Sequence, residues 1–376
     1  MIIRNCTLDV LEDFSRNKRL LCFGAGKVLD ELEEFCAGKW DILKNCDAIC
    51  DNDKEKHGKT RKVRSYELPV ISMKQLQQYD KKNLILLITV GAYVEIVEQL
   101  RNIEWFLDVE VFIFNLVKNY QLNYDSFREN TYIPKSSSKI EQIPKVIHYI
   151  WIGNEMPDDM KRCVDSWYRF CPDYEIKLWN EQNYDFTKNP YMKKAFENEI
   201  WGFVVDYARL DIVYNEGGIY LDTDVEVIKP LDELRKEQAF IAFQPKYVPY
   251  QPEYMINAGS GFGAVKNHKM VKALRDAYEN IDFNVQDLSK NPSSPKWQTK
   301  TLKEYGLKCD GAYQIINGMT VFPFQVLCCR SYASEQIFVN EDSYCIHHFA
   351  GTWEKGKKTS FEKEILKESI KNVLTE

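Results

Sequence analysis

The stretch DYARLDIVYNEGGIYLDTDVEVIKPL, residues 206–231, decides how the second half of this chain folds. Its first part, with the residue just before it, spaces apolar residues as a helix does, Val205, Ala208, Ile212 and Val213 falling on one face. Gly217 and Gly218 stop that helix. A segment rich in Ile, Leu and Val follows at once and reads as a strand with Asp222, Asp224 and Glu226 at alternate positions. Alternate strand residues share a face, so three carboxylates are expected on one side and Leu221, Val225 and Val227 on the other. Such carboxylates repel one another and resist joint ionisation. A divalent cation held through oxygen turns the repulsion into coordination. The end of a strand in an open α/β sheet is where such a ligand binds.

The rest of the sequence narrows the options. A chain of 376 residues, 44% hydrophobic, is comfortable for two domains. A net charge of −6 argues against a nucleic-acid partner, which requires a basic surface. The opening MIIRNCTLDVLEDFSRN has no long apolar region and does not read as a signal peptide, and NLILLITVGAYV is too short to span a bilayer. Eleven cysteines with no C-x-x-C pair read as scattered reduced thiols in a cytoplasmic protein, with action at the inner face of a membrane left open.

Proline, serine and lysine concentrate in TYIPKSSSKIEQIPK, which divides the chain into a domain at 1–130, a linker at 131–142 and a domain at 143–376. Before the linker, the apolar runs RLLCF, DAIC, NLILLITV and VEVFIF alternate with the helical patterns KVLDELEEFC, ISMKQLQQY and VEIVEQLRN. This predicts an α/β domain with a small parallel sheet of Rossmann type, covered on both faces. Gly24 and Gly26 sit where a dinucleotide turn sits, and Asp51 and Asp53 end the second strand. However, Leu29 stands where the third glycine of the fingerprint belongs. The pattern FGAGK, CDND, HGK and PVIS resembles the N-terminal domain of sugar O-acyltransferases, which implies either a nucleotide-sugar site or a structural module.

In the second domain, IPKVIHYIWIG, the block from Asp206 to Leu231, and IHHFAGTW together resemble glycosyltransferase family 32, the DXD-containing sugar transferases related to the glucosylating-toxin catalytic domains. The resemblance runs from about Ile143 to Trp353 and implies a GT-A fold using a nucleotide-sugar donor. Residue by residue, it implies that Trp151 stacks on the donor base, with Asn180 in the polar turn after the next strand among the donor-binding residues. It implies that Asp206 takes sugar or ribose hydroxyls while Arg209, three residues on and so on the same helix face, meets diphosphate or sugar. Asp222 corresponds to the first aspartate of the motif, which contacts ribose and sugar or reaches the metal through water, and Asp224 to the second, the direct metal ligand. His348 completes the metal shell where the toxin relatives use a carboxylate, and Trp353 closes over the diphosphate. Glu226 is given no direct role; it either faces solvent or supports the residues that touch the metal. An imidazole ligand favours Mn²⁺ over Ca²⁺; Mg²⁺ is the other candidate.

The activity this implies is metal-dependent, retaining transfer of a sugar, most naturally from a UDP-sugar, to a glycan or lipid-linked acceptor in surface polysaccharide synthesis. Two alternatives stand beside it: a nucleotide-sugar-binding scaffold without turnover, and an NAD-dependent sugar oxidoreductase built on the first domain. The lysine-rich C-terminal segment EKGKKTSFEKEILKESIKNVLTE has a helical pattern and offers contact with anionic lipid, while its interspersed glutamates read as a solvated helix.

Overall fold

The computed structural model describes residues 1–130, 133–134, 136, 138, 140–153, 155–247, 251–351 and 358–374. The chain forms two compact units. One comprises Met1–Asp125, Ala333–Gln336 and Lys357–Glu376; the other comprises Ser126–Tyr332 and Ile337–Gly356.

The first unit is built on seven strands: β1 (Ile2–Arg4), β2 (Arg19–Phe23), β3 (Cys46–Cys50), β4 (Thr60–Val63), β5 (Tyr66–Ile71), β6 (Leu84–Ile88) and β7 (Glu110–Ile113). Their order is β1-β7-β6-β2-β3-β5-β4, and every pairing is parallel except the β4–β5 hairpin at one edge. The expected parallel α/β sheet is therefore present. Its strands are apolar on both sides because helices cover both faces, and each face has its own buried cluster. Chain order reverses between β2 and β6, so the carboxyl ends of these two strands flank a topological switch point.

The domain reading needs one correction. The helix Ser360–Lys371, assigned from sequence to the second domain, packs into the first unit. Phe361, Ile365 and Leu366 join the cluster on one face of the first sheet. Glu368 accepts the Ile3 N–H at 2.8 Å, and Arg101 pairs with Glu364 and Glu368 at 2.7 and 2.6 Å. The glutamates that read as a solvated face thus spend part of their charge on the sheet edge. Residues 131–142 fall partly outside the described residues.

The second unit carries β8 (Val146–Ile150), β9 (Glu175–Trp179), β10 (Gly218–Tyr220), β11 (Val225–Val227), β12 (Ala239–Gln244), β13 (Met255–Ile256), β14 (Phe262–Ala264), β15 (Gln314–Ile316), β16 (Met319–Phe322) and β17 (Cys345–His347). The main sheet runs β15-β16-β12-β14-β10-β8-β9, with β13 paired to β12. β9, β8 and β10 are mutually parallel, while β14 runs antiparallel between β10 and β12. β11 and β17 form a separate antiparallel ribbon. Among the described residues, no helix is long and apolar enough to cross a membrane.

The expected acidic strand is broken in two. β10 ends at Tyr220, a turn follows, and β11 begins at Val225. The Val225 N–H closes the turn onto the Asp222 carbonyl at 3.0 Å. Asp and Thr side chains favour such turns over strand continuation. Asp222 and Asp224 therefore sit in a turn between two strands, and Glu226 alone lies within one.

Candidate active site

Three adjacent parallel strands deliver the expected residues to one sheet edge. Trp151 follows β8, Asn180 follows β9, and Asp222 lies two residues past β10, all at carboxyl ends. The Trp151 N–H donates to the Trp179 carbonyl at 3.1 Å, and its side chain is half-buried. Asn180 is committed to its own turn: its Oδ1 accepts the Gln182 N–H at 3.0 Å, and its N–H donates to Asn183 Oδ1 at 2.8 Å.

The helix Trp201–Glu216 lies under this edge and is buried nearly all round, polar residues included. Such burial requires every charge to be paired. Asp206 and Arg209 form an ion pair one helical turn apart, and the Arg209 side chain is only 6% exposed. Arg209 Nη1 also reaches Asp222 at 3.2 and 3.3 Å, and its Nη2 meets Ser294 Oγ at 3.3 Å. Tyr220 donates its hydroxyl to Asp222 at 2.9 Å. Gly217 and Gly218, with φ of 71° and 105°, turn the chain from this helix into β10. A Cβ at Gly218 would lie 2.7 Å from His148 Nε2, so only glycine fits there. His148 Nε2 lies 2.7 Å from the Gly217 carbonyl, and its Nδ1 accepts from Trp179 Nε1–H at 3.1 Å. This neutral imidazole braces the turn.

Asp224 faces the ribbon. Its Oδ2 accepts the Ala350 N–H at 2.8 Å, and its Oδ1 lies 3.3 Å from His347 Nε2. Ser260 Oγ holds the other ring nitrogen of His347 at 3.1 Å. The ligand atoms of Asp222, Asp224 and His347 all lie within 4.8 Å of one another. Here the structure departs from the sequence reading: it sets His347, and not His348, beside the two aspartates. His348 Nε2 pairs with Glu226 Oε2 at 2.9 Å, and its Nδ1 lies 3.1 Å from Arg330 Nη1. The reason is the turn. Val225 pairs with His347 across the ribbon, so Glu226 and His348 are diagonal neighbours on one face. Asp224, released from strand alternation, swings to the other. Trp353 lies outside the described residues.

Electrostatics follow from this layout. Burial pushes the Asp206 carboxyl up to about 6, against the pull of Arg209. Burial also raises Asp222, opposed by Arg209 and reinforced by Asp224. Burial works against the charge of Arg209, but Asp222 and Asp206 outweigh it and hold the guanidinium above its ordinary value. At Asp224 burial is overcome by His347 and by the Ala350 N–H, leaving the carboxyl down at about 2. His347 is the mirror case: Asp224 outweighs burial and lifts it to about 10. The carboxylates that looked mutually repulsive in sequence thus each have a partner within the chain, Arg209 for Asp222 and His347 for Asp224.

His347, Tyr220, Ser260 and Gly259 were not singled out from sequence. Strand alternation in IHHF turns His347 and His348 to opposite faces, and the sequence reading took His348; the break after Tyr220 is what sends Asp224 to the face of His347. Gly259 passes directly over the ion pair: a Cβ there would lie 2.3 Å from Asp222 Oδ2.

An Asp-x-Asp turn at the carboxyl ends of parallel strands in a mixed α/β unit is an arrangement suited to a divalent cation and an anionic ligand. Residues 157–241, which span the buried helix, the turn and β11, match the family described as glycosyltransferase sugar-binding region containing DXD motif. Inositol phosphoceramide mannosyltransferase 1 of Schizosaccharomyces pombe is 27% identical over 191 residues, 46% of this chain and 53% of that protein. Inositol phosphoceramide mannosyltransferase 3 of the same organism is 33% identical over 113 residues, 28% of this chain and 31% of that protein. Among solved structures, a glycosyltransferase involved in the glycosylation of the major capsid of PBCV-1 matches over 60% of this chain and 98% of its own, at 15% identity and a TM-score of 0.32. The chain spans about half the length, or less, of the curated relatives it matches.

Proposed function

We propose that this chain is a metal-dependent glycosyltransferase that moves a sugar from a nucleotide-sugar to a lipid-linked or glycan acceptor. The observation that carries the reading is the convergence of Asp222, Asp224 and His347 at the carboxyl edge of β8, β9 and β10. Two carboxylates and an imidazole suit a divalent cation such as Mn²⁺ or Mg²⁺. When bound, the cation supplies Lewis-acid stabilisation of the departing nucleoside diphosphate.

The chain's own residues do the rest. Arg209 and Tyr220 fix the Asp222 carboxylate, Ser260 fixes the His347 ring, and the Ala350 N–H fixes Asp224. Such preorganisation spares the site reorganisation during the reaction. Arg209 keeps its Nε–H as a buried donor without a hydrogen-bond partner among the described residues, which suits a donor hydroxyl or phosphate oxygen. Trp151 offers an aromatic face for the donor base. Retention of configuration, with the leaving phosphate as base, remains part of the reading.

The printed names of the relatives add mannosyl transfer and a phosphoinositol lipid to the candidates, beside the UDP-sugar and surface polysaccharide expected from sequence. A cytoplasmic location, at a membrane face where the acceptor is a lipid, belongs to the same proposal. The test is release of nucleoside diphosphate from a panel of UDP- and GDP-sugars with Mn²⁺, with and without lipid acceptors. Metal-dependent release from at least one donor is expected. Tight donor binding with no release under any condition would replace the enzyme with a scaffold.

A further inference from the structure

A row of aromatic rings in the second unit leads away from the two aspartates. The Phe349 ring lies on the His347 imidazole, with centroids 4.1 Å apart and planes tilted by 34°. Tyr332 meets Phe349 edge to face at 5.6 Å, and Tyr247 meets Tyr332 at 5.3 Å. All three rings are half-buried, so each keeps part of its surface open to solvent. We propose that this row is the acceptor subsite and that it receives a pyranose ring of the acceptor by stacking. The inference rests on the glycosyltransferase reading above and deepens it, by naming where the acceptor lies and which part of it is recognised.

The backbone singles out Phe349. Its φ of 51° lies in the left-handed region, which a bulky side chain enters only at a cost. Among the described residues, every other non-glycine position with positive φ is polar. The turn itself has a use. The His348 N–H donates to the Asp224 carbonyl at 2.9 Å, and the Ala350 N–H donates to Asp224 Oδ2 at 2.8 Å. Glycine would make such a turn freely, as Gly351 does at a φ of 54°. A phenylalanine held there instead points to a task for its ring. Bracing His347 does not supply that task, because Asp224 and Ser260 already meet its two ring nitrogens.

The place and the chemistry both suit an acceptor sugar. Arg209 and Tyr220, on the donor side, gather at Asp222, whereas the aromatic row starts from His347, which faces Asp224. An acceptor hydroxyl has to be held close to the donor's reacting carbon, and so beside this centre. A pyranose turns C–H bonds toward the negative face of an aromatic ring and carries hydroxyls around its rim. Phe349 and Tyr332, with planes at 76°, give it a floor and a wall. Two of the three rings are tyrosines, whose hydroxyls can bond that rim. An alkyl tail would make no use of them, so the occupant is the sugar ring.

The experiment is saturation-transfer NMR on the full-length chain with Mg²⁺ and UDP or GDP. The probes are the methyl α- and β-pyranosides of glucose, galactose and mannose, with n-hexanol as the apolar comparison. Transfer to the ring C–H protons of at least one glycoside is expected. Tyr332→Ala should weaken that binding about fivefold, mid-range for one aromatic contact. Phe349→Gly, which suits the turn and removes the ring, should do the same with an unchanged Tm. In the turnover assay, Tyr332→Ala should raise the KM for the glycoside by the same factor. Its acceptor-free release of nucleoside diphosphate, and the metal dependence of that release, should stay within about twofold. Contact with no glycoside overturns the proposal, as does contact that neither variant weakens. So does n-hexanol binding with the same sensitivity to both variants. Failure of every donor to release nucleoside diphosphate overturns the enzyme reading and with it the acceptor role. Loss of glycoside contact with donor release intact overturns this proposal alone.

Discussion

Gly259→Ala tests whether the Asp222–Arg209 arrangement is machinery or packing. The backbone of Gly259 is free of positive φ, so alanine brings no conformational strain. Its methyl carbon would sit 2.3 Å from Asp222 Oδ2, 2.9 Å from Arg209 Nη1 and 3.0 Å from Asn257 Oδ1. Ordinary contact begins near 3.4 Å, so the carboxylate must retreat by about 1 Å, and the bonds to Arg209 at 3.2 and 3.3 Å must be remade. Each of these contacts is the end of a side chain rather than backbone, so the fold yields cheaply. A destabilisation of about 1 kcal/mol, the low end for overpacking, is expected. A displacement of about 1 Å in a reacting geometry costs on the order of 10²-fold in rate. The assay is donor turnover with Mn²⁺, measured beside the thermal midpoint, with Gly91→Ala as control because nothing lies within 4 Å of its added Cβ. Gly259→Ala should lose about a hundredfold in kcat/KM with a Tm drop of no more than about 4 °C. If activity stays within about twofold of the parent, about 0.4 kcal/mol in barrier, the position of Asp222 does not matter to the chemistry.

The histidines separate in the same assay: His347→Ala should abolish most metal dependence of donor binding, while His348→Ala should leave metal affinity within a few-fold, and the reverse order would restore the ligand set read from sequence. The pH dependence of stability has a defined sign at two carboxyls. Asp206, raised to about 6, binds its proton more tightly folded than unfolded, so its contribution is full below about pH 4 and is lost as pH rises to 6. Asp206→Asn should flatten chemical-denaturation stability over that window. Asp224, lowered to about 2, works oppositely: its contribution is present above about pH 4 and is lost as pH falls toward 2. Truncation before Lys358 should lower the thermal midpoint or yield insoluble protein, because Phe361, Ile365 and Leu366 leave one face of the first sheet uncovered. An unchanged midpoint would mean that the helix is an ornament of that unit.

Periodicity revealed much of this fold, and the reasons it failed elsewhere are physical. KVLDELEEFC forms a helix over the same ten residues, and NLILLITV supplies a central strand, because long apolar patterns constrain the chain locally. β1, β4 and β5 were not read, since β1 and β4 are short edge strands and β5 is interrupted by Pro69, so none carries much pattern of its own. In IYLDTDVEV the apolar alternation hid a turn that the Asp-Thr-Asp composition could have signalled. Asp222 and Asp224 stood out because their spacing is local, while Asp206 and Arg209 came from the family resemblance. What Arg209 bonds, and which histidine faces Asp224, depends on segments distant in sequence, and pattern reading has no access to that register.

The helix Ser360–Lys371 makes the first unit discontinuous: its sheet begins at residue 2 and is sealed only by the last residues of the chain. The bond from the Ile3 N–H to Glu368 spans 365 positions. At about 5–20 residues per second, a ribosome delivers the partner of that first strand only after about 20–70 s. Until then the sheet face destined for Phe361, Ile365 and Leu366 is uncovered, through synthesis of the second unit as far as Gly356. The first unit is therefore the last to be completed although most of its sequence comes first, and the waiting chain presents an apolar face of the kind chaperones bind.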